Sequence, residues 1–199
     1  TLAARGYVAI AVSQPGYGRS AGPPDFMGPV TVSAVEDVIQ HFRAQPFVLA
    51  DRIALEGVSR GAVVASLVAA QDSTIRAMVL ISGAYDFEAS PDSSTPVGRR
   101  NMARRAQIAS DIAIETDGTA EALRARSALS VVSHIRTPAL VLNGEKDDRT
   151  DPEQARALAA GILRNGIYAR AVIYSEFGHA IPYATREREI EPFLRTWLK

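Results

Sequence analysis

The chain has 199 residues, enough for one domain with a sizeable buried core. Its 22 basic and 22 acidic side chains balance, which argues against a nucleic-acid or anionic membrane partner, and no apolar run approaches the roughly 20 residues of a membrane span. The absence of cysteine excludes disulfides, a cysteine nucleophile and thiolate metal sites, and cytoplasmic is the default expectation for its location.

The first half of the chain alternates strand-like and helix-like patterns. Residues 1–5 look like the last turn of a helix closed by Gly6, and residues 7–12 form an apolar run typical of a buried parallel strand. After a loop rich in Gly and Pro, apolar spacing predicts a helix over residues 30–42. A strand, a helix and a strand are then predicted over residues 53–56, 60–71 and 77–81.

Residues 86–126 interrupt this alternation, and we interpret them as a small lid. A Ser/Pro/Asp loop over residues 91–96 precedes two weakly amphipathic helical pieces over residues 97–108 and 120–126. The alternation then resumes with a strand, a helix, a strand and a helix over residues 139–143, 152–165, 169–174 and 185–198. Strands that alternate with helices predict an α/β fold, a mostly parallel sheet with helices on both faces, in one domain over residues 1–199.

The motif Gly57-x-Ser59-x-Gly61 lies where a predicted strand ends and a helix begins. This is the context of a nucleophile elbow, in which a strained turn presents a serine hydroxyl. Side chains in place of the two glycines would crowd the strand against the helix. An ordinary glycine-rich turn would give the same three residues, so a catalytic role depends on partners elsewhere in the chain.

A serine nucleophile needs a base that is oriented by a third group. Of the three histidines, His41 lies within a predicted helix and His134 lies ahead of a strand. His179 instead follows the predicted strand over residues 169–174, at the carboxyl edge where open α/β sheets place their sites. We therefore expect His179 to be the base, the alternative being an ordinary surface-loop histidine.

The orienting carboxylate is expected just after the strand over residues 139–143. Asp147, Asp148 and Asp151 are all candidates by position. Their place between the serine and the last histidine gives the order Ser, Asp, His, which is that of α/β-hydrolases and of neither chymotrypsin nor subtilisin. Acidic residues beside a glycine also suggest a calcium loop, but the EF-hand spacing and its terminal Glu are absent, so no metal is expected.

These residues resemble the α/β-hydrolase superfamily, and within it the prolyl-oligopeptidase and dienelactone-hydrolase-like branch. The likeness covers nearly the whole chain except the lid. It is carried by residues 5–12, 15–20, 57–61, 126–130, 135–149 and 176–179.

The resemblance implies a serine hydrolase with Ser59 as nucleophile, His179 as base and Asp147, the first aspartate of a Gly-x-x-Asp-Asp pattern, as the triad acid. It also implies that the backbone N–H of Arg60 is one oxyanion donor and that no cofactor is needed. Dienelactone hydrolases proper use cysteine at the elbow, so the serine disfavours their chemistry. The expected substrate is a small-molecule ester or a peptide, and a non-catalytic binding module is the alternative from another functional class.

The resemblance further implies that the family's first strands and oxyanion loop would lie before residue 1. One of those strands would lie between residues 7–12 and 53–56, and a gap there would leave backbone groups unpaired. We therefore expect a missing N-terminal segment to complete the sheet, and the 199 residues alone to be poorly stable or inactive.

Two aromatic residues and four arginines are weaker candidates for substrate contacts. Tyr85 and Phe87 follow a strand end and are candidates for the acyl pocket, with packing under the lid as the alternative. The lid contains four arginines, Arg99, Arg100, Arg104 and Arg105. A substrate carboxylate is one expected partner for them, although such a cluster is more often a solvated helix face.

Overall fold

The computed structural model describes residues 2–88, 94 and 96–199, and its centre is a sheet of four parallel strands. Neighbours in the sheet are consecutive in the sequence, in the order β1-β2-β3-β4. The strands are β1 (Ala54–Val58), β2 (Ala77–Ile81), β3 (Ala139–Gly144) and β4 (Ala169–Tyr174), which confirms four of the five predicted strands.

Within the described residues six α-helices accompany the sheet, and all six were predicted. They are α1 (Pro29–Arg43), α2 (Arg60–Gln71), α3 (Pro96–Glu115), α4 (Ala120–Arg124), α5 (Pro152–Arg164) and α6 (Tyr183–Trp197). Helix α3 runs to Glu115 rather than ending at residue 108. A 3₁₀ helix over Ala128–His134 was not predicted from the sequence. None of the helices in the described part of the chain is long and apolar enough to cross a bilayer.

Strand β2 is buried along its whole length, and its side chains alternate between the two faces of the sheet. Met78 and Leu80 lie in one apolar cluster with residues of α2 and α5. Ala77, Val79 and Ile81 lie in another with residues of α6. The sheet is therefore covered by helices on both faces, as the alternating pattern predicted.

Helix α2 is apolar around most of its circumference because it packs on both sides. The side that does not face the sheet contributes Val63 and Leu67 to a third cluster, which also contains residues of α1, α3 and the loop before α1. A helix that is apolar all round is expected to be buried, and eight of the twelve residues of α2 are. This packing fixes the N-terminal end of α2, where the elbow lies.

The predicted strand over residues 7–12 is wrong. These residues belong to no strand, and the side chains of Val8, Ile10 and Val12 are 54%, 43% and 40% exposed. A strand needs a neighbour for its hydrogen-bond ladder, and within the described residues β1 is an edge strand with β2 as its one partner. Residues 7–12 therefore have the composition of a strand, but they form none because no described strand lies beside them to accept their hydrogen bonds.

The turn before this segment is held by α6. The 3₁₀ helix Ala3–Arg5 ends at Gly6, whose φ is +85° and whose N–H donates to the carbonyl oxygen of Ala3, as the predicted closure requires. Arg5 forms ion pairs with Glu187 and Glu191 of α6. Residues 3–6 are therefore held against α6, the helix that covers one face of the sheet.

The interval predicted as a lid, residues 86–126, contains α3 and α4. The predicted loop over residues 91–96 lies almost wholly outside the described residues. Ile108 and Ile112 of α3 are buried in the cluster shared with α1 and α2. Helix α3 is thus part of the packed structure, and its function as a lid stays a prediction.

Candidate active site

Ser59 lies in the one-residue turn between β1 and α2. Its φ is +54° and its ψ is −116°, a left-handed conformation that costs a residue with a Cβ atom about 1–3 kcal/mol. Its backbone N–H donates to the carbonyl oxygen of Ile81 on β2 at 2.8 Å. The structure therefore has the strained, anchored geometry that a nucleophile elbow predicts.

The two glycines of the elbow differ in their surroundings. A Cβ atom on Gly57 would lie 2.2 Å from the carbonyl oxygen of Gly61 and 2.5 Å from the nitrogen of Ala62. A Cβ atom on Gly61 would meet no atom within 4 Å. The prediction that a side chain would crowd the strand against the helix is therefore confirmed for Gly57 and wrong for Gly61. The close contact is between the Cα of Gly57 and the backbone of Gly61, so the Cβ position of Gly61 stays free.

Three side chains that follow three different strands meet at this edge of the sheet. The Nε2 atom of His179 lies 3.0 Å from Oγ of Ser59. On the other side of the ring, Nδ1 lies 3.0 Å from Oδ2 and 3.2 Å from Oδ1 of Asp147. The structure thus brings Ser59, His179 and Asp147 into one continuous chain of hydrogen bonds.

The side chain of Asp147 is fully buried but well supplied with donors. The N–H groups of Arg149 and Thr150 donate to Oδ1 at 2.8 and 3.0 Å, and the Thr150 hydroxyl donates to Oδ2 at 2.6 Å. Burial acts to raise the pKa of Asp147, but the hydrogen bonds from His179, Thr150 and the backbone outweigh it and hold this pKa below its usual range. An ionised Asp147 favours the imidazole tautomer with its proton on Nδ1, which leaves Nε2 free to accept the serine proton.

The competing carboxylates lie elsewhere. Asp148 is exposed, and Asp151 caps the N-terminus of α5 by accepting from the N–H of Glu153 at 2.9 Å. In the described ranges, no three His, Asp or Glu side chains are placed to hold a metal ion together.

The other two histidines lie on other elements, and neither forms a hydrogen bond to Ser59 among the described residues. His41 is exposed on α1, with its ring edge-to-face against Phe42. His134 is exposed at the end of the 3₁₀ helix Ala128–His134.

Two residues that hold the His179 loop were missed in the sequence. Ser82, at φ +51° and fully buried, donates its hydroxyl to the carbonyl oxygen of His179 at 2.9 Å. A Cβ atom on Gly144 would lie 2.3 Å from the carbonyl oxygens of Phe177 and Gly178, so the loop packs directly on this glycine. Ser82 directly follows β2 and Gly144 is the last residue of β3, so a search of the strand ends for small residues would have found both.

Arg60 is the first residue of α2. An N–H in the first turn of a helix has no acceptor within the helix, so the backbone N–H of Arg60 is available to donate to a ligand. Its role as an oxyanion donor stays a prediction. Its guanidinium lies over the rings of Tyr17 and Phe26, 4.9 and 5.1 Å from their centroids. The hydroxyl of Tyr17 in turn donates to Glu115 at 2.8 Å, which ties the N-terminal loop to the end of α3.

A cavity of about 360 Å³ opens onto Ser59 and His179. Phe87 is among its lining residues, whereas Tyr85 is fully buried in the cluster between the sheet and α5. The apolar part of the lining consists of Phe26, Met27, Val63, Ala84, Phe87 and Ile108.

Buried Arg126 holds the loop that supplies Phe26 and Met27, whose φ angles are +41° and +69°. Its guanidinium donates to the carbonyl oxygens of Asp25 and of Phe26, the latter at 2.9 Å. The carboxylate of Asp25 accepts from the N–H groups of Val30 and Thr31 at the start of α1. The sequence did not single out this anchor, because it joins residues about 100 positions apart.

The four lid arginines have different surroundings. Arg104 lines the cavity. Arg105 is half-buried, and burial lowers the pKa of its guanidinium while Asp86 and Asp151 oppose this. Arg99 donates to the carbonyl oxygen of Ser94 at 2.9 Å, and the side chain of Arg100 lies outside the described part of the structure. Of the three arginines with described side chains, one lies at the candidate site.

Comparison with known proteins gives one family match, to the model described as the prolyl oligopeptidase family, over residues 1–199. Among curated proteins, the uncharacterized peptidase YuxL of Bacillus subtilis (strain 168) is 25% identical over 197 residues. The match covers 94% of this chain and 28% of that protein.

Solved structures with a similar fold are matched at lower identity. The chain matches the uncomplexed Pyrococcus horikoshii acylaminoacyl peptidase with a TM-score of 0.71, 17% identity and coverage of 88% of this chain and 29% of that one. Porphyromonas gingivalis dipeptidyl peptidase 4 gives a TM-score of 0.67, 19% identity and coverage of 87% and 24%. These likenesses confirm the predicted α/β-hydrolase fold, and the chain spans less than a third of the length of each of these three proteins.

Proposed function

Because this chain belongs to the prolyl oligopeptidase family, as the resemblance predicted, we propose that it provides the catalytic residues of a serine peptidase that forms an acyl-enzyme on Ser59. The observation that carries the proposal is the path of hydrogen bonds from the serine hydroxyl through His179 to Asp147, with distances of 3.0 Å at both steps. Nucleophile, base and orienting acid each have the contact that their role requires.

In the proposed reaction, Nε2 of His179 takes the hydroxyl proton as Oγ of Ser59 attacks the carbonyl carbon of the substrate. The resulting imidazolium is stabilised by Asp147 and returns the proton to the leaving amine or alcohol. A water molecule, deprotonated by the same ring, then attacks the acyl carbon; the bond from that carbon to Oγ of Ser59 breaks, the ring returns the proton to Oγ, and the acid is released. The backbone N–H of Arg60 donates to the oxyanion in both halves, and loss of one such donor typically lowers turnover by about 10²–10³.

A peptide is favoured over a simple ester as the substrate. The names of the similar proteins given above include acylaminoacyl peptidase and dipeptidyl peptidase, and the curated relative is called a peptidase. The apolar walls of the cavity, which include Phe26, Phe87 and Ile108, suit an uncharged stretch of peptide beside the scissile bond. A carboxylesterase uses the same chemistry, so the preference is tested by comparing amide and ester substrates.

The test of the proposal is labelling of the full-length protein by a fluorophosphonate probe. The Ser59→Ala variant should lose labelling completely, because the probe reacts with an activated serine. The Ser130→Ala variant removes a hydroxyl that donates to the carbonyl oxygens of Arg124 and Ser127 and does not line the cavity, so it should label as the unaltered protein does. Labelling that persists in Ser59→Ala, in a protein with unchanged circular dichroism, would show that Ser59 is not the nucleophile.

A further inference from the structure

The cavity beside Ser59 is lined by more cationic than anionic side chains. Arg60, Arg104 and Arg149 all line it. Of the described residues that line the cavity, Asp111 is the single acid, and its carboxylate accepts a hydrogen bond from Gln107 at 2.9 Å. The mechanism proposed above uses no arginine side chain, so this charge has no role in it.

Two of the three arginines are available to a ligand. The guanidinium of Arg60 lies over the rings of Tyr17 and Phe26. Arg104 and Arg149 are exposed, and neither forms an ion pair with any residue in the described part of the chain.

Other arginines of the chain do have acidic partners. Arg156 of α5, for example, pairs with Glu145 and Glu153. Among the described residues, Arg104 and Arg149 thus have no ion-pair partner, and Asp111 is the one acid that lines the cavity with them.

The two guanidinium groups approach the cavity from different elements. Arg104 comes from α3, and Arg149 comes from the loop after β3. The backbone N–H of Arg149 donates to Asp147, so the hydrogen bond that supports the catalytic acid also fixes the position of this arginine. Because both arginines line the cavity of about 360 Å³ that opens onto Ser59, a substrate group that contacts both lies in the same cavity as the bond that Ser59 attacks.

We propose that Arg104 and Arg149 together bind a carboxylate of the substrate, so that the site selects peptides with an acidic group next to the scissile bond. This inference rests on the proposed function and names the substrate class of the same site. A planar guanidinium matches a carboxylate in geometry as well as in charge, and the neighbouring apolar walls strengthen the attraction. The carboxylate belongs either to an acidic side chain on the acyl side or to the free C-terminus of a short leaving group.

The experiment compares matched substrates of the full-length protein. On the acyl side, N-acetyl-glutamyl 4-nitroanilide is compared with its glutaminyl counterpart; on the leaving side, an acetylated tripeptide with a free carboxylate is compared with its amide. In at least one pair we expect kcat/KM to be about tenfold higher for the charged member, the ratio that corresponds to about 1.4 kcal/mol. The pair that shows the ratio identifies which carboxylate is bound.

Variants then assign the preference to these two residues. In the double variant Arg104→Gln, Arg149→Gln the ratio should fall to about one, because the preference depends on both charges. Arg105→Gln removes one positive charge at the next position of the same helix. The Arg105 guanidinium interacts electrostatically with Asp86 and Asp151 and does not line the cavity, so the ratio should persist in this variant. If Arg105→Gln removes the preference as completely as the double variant, the overall field of the protein is responsible and the proposal is overturned.

A binding measurement separates this inference from the proposed function. In the Ser59→Ala protein, the charged member of at least one of the two substrate pairs should bind about tenfold more tightly than its uncharged counterpart, measured by calorimetry and without any turnover. Equal binding within both pairs, with kcat/KM ratios of one or less in both, overturns the carboxylate site while fluorophosphonate labelling of Ser59 still supports the peptidase. Selective binding without labelling would contradict the peptidase and keep the carboxylate site.

Discussion

Asp147 illustrates how a single charged residue is kept ionised where its side chain has no contact with solvent. Its two oxygens accept from the N–H groups of Arg149 and Thr150, from the Thr150 hydroxyl and from the ring of His179. An isolated buried carboxylate would be protonated, but several donors aimed at it reverse that tendency and lower its pKa. The same bonds fix the direction in which the carboxylate faces the histidine.

The substitution Asp147→Asn should therefore change both activity and acid stability. Turnover should fall by about 10³–10⁴, because the amide no longer selects the tautomer that leaves Nε2 free. The pKa of Asp147 is lower in the folded than in the unfolded state, so the ionised carboxylate stabilises the fold. This stabilisation is fully present at pH values above the ordinary Asp pKa of about 3.9, and it is lost as the pH falls through the pKa of the folded state. Urea unfolding at pH 7 and pH 3 should show the variant's deficit shrinking on acidification.

Asp148→Asn is the matched control for this measurement, because the neighbouring carboxylate is exposed. Its turnover should stay within about twofold of the unaltered protein, since surface substitutions of this kind usually have small effects. A variant at Asp147 with unchanged turnover, or with a deficit that grows at low pH, would contradict the role given to this residue.

The strand-turn-helix element places Ser59 by a close backbone contact. The Cα atom of Gly57 on β1 lies so near the first turn of α2 that a methyl group there would overlap the carbonyl oxygen of Gly61. The strained φ of Ser59 persists because β2 on one side and the buried helix α2 on the other hold the turn in place. The element, and not the serine alone, sets the direction of the Ser59 hydroxyl.

Alanine at the two glycines should have opposite effects. Gly57→Ala should destabilise the protein by about 1–3 kcal/mol and slow labelling of Ser59, because strand and helix must separate to admit the methyl group. Gly61→Ala should leave stability unchanged or raise it by up to about 1 kcal/mol, because its Cβ meets no atom within 4 Å and alanine favours the helix. Urea unfolding and the rate of fluorophosphonate labelling test this; equal losses in the two variants would refute the close contact at Gly57.

At the scale of the whole molecule, the sheet has an open side. β1 is an edge strand, Val58 on it is 45% exposed, and the apolar residues 7–12 lie outside any strand. Edge strands of natural proteins are usually short, charged or covered, because an exposed apolar edge invites pairing. We propose that a strand supplied from outside residues 1–199 pairs with β1 and with residues 7–12, and that its loop supplies the second oxyanion donor.

Hydrogen exchange in the full-length protein tests this proposal. If a further strand pairs with β1, the backbone amides of Ala54–Val58 should exchange as slowly as those of the central strand Ala77–Ile81, and residues 7–12 should also be protected. The exposed turn at Ser73, whose N–H has no hydrogen-bond acceptor among the described residues, is an internal reference for unprotected amides. Exchange at residues 7–12 as fast as at this turn would contradict the added strand.

Local patterns were sufficient for most of the elements of this fold. The strands and helices repeat the periods of 2 and 3.6 residues that local sterics impose, so β2, α2 and β4 have the boundaries that the sequence predicts. The run over residues 7–12 failed because a strand is defined by its partner, and no local pattern reports whether a partner is present. The 3₁₀ helix Ala128–His134 was missed for a related reason, since it is stabilised by packing against α2 and α5.

By itself, the sequence determined the parallel α/β architecture, the family and the three side chains that follow the strand ends. Chain order and strand polarity are local properties, and the carboxyl ends of parallel strands must meet at one edge. Strand position alone left Asp147, Asp148 and Asp151 open, and the family resemblance implied Asp147. Tertiary structure decided the rest: that Ser82 and Gly144 hold the histidine loop, and that Arg104 joins Arg149 beside Ser59. These depend on distances between residues far apart in the chain, which are fixed when the helices pack on the sheet and leave no trace in local spacing.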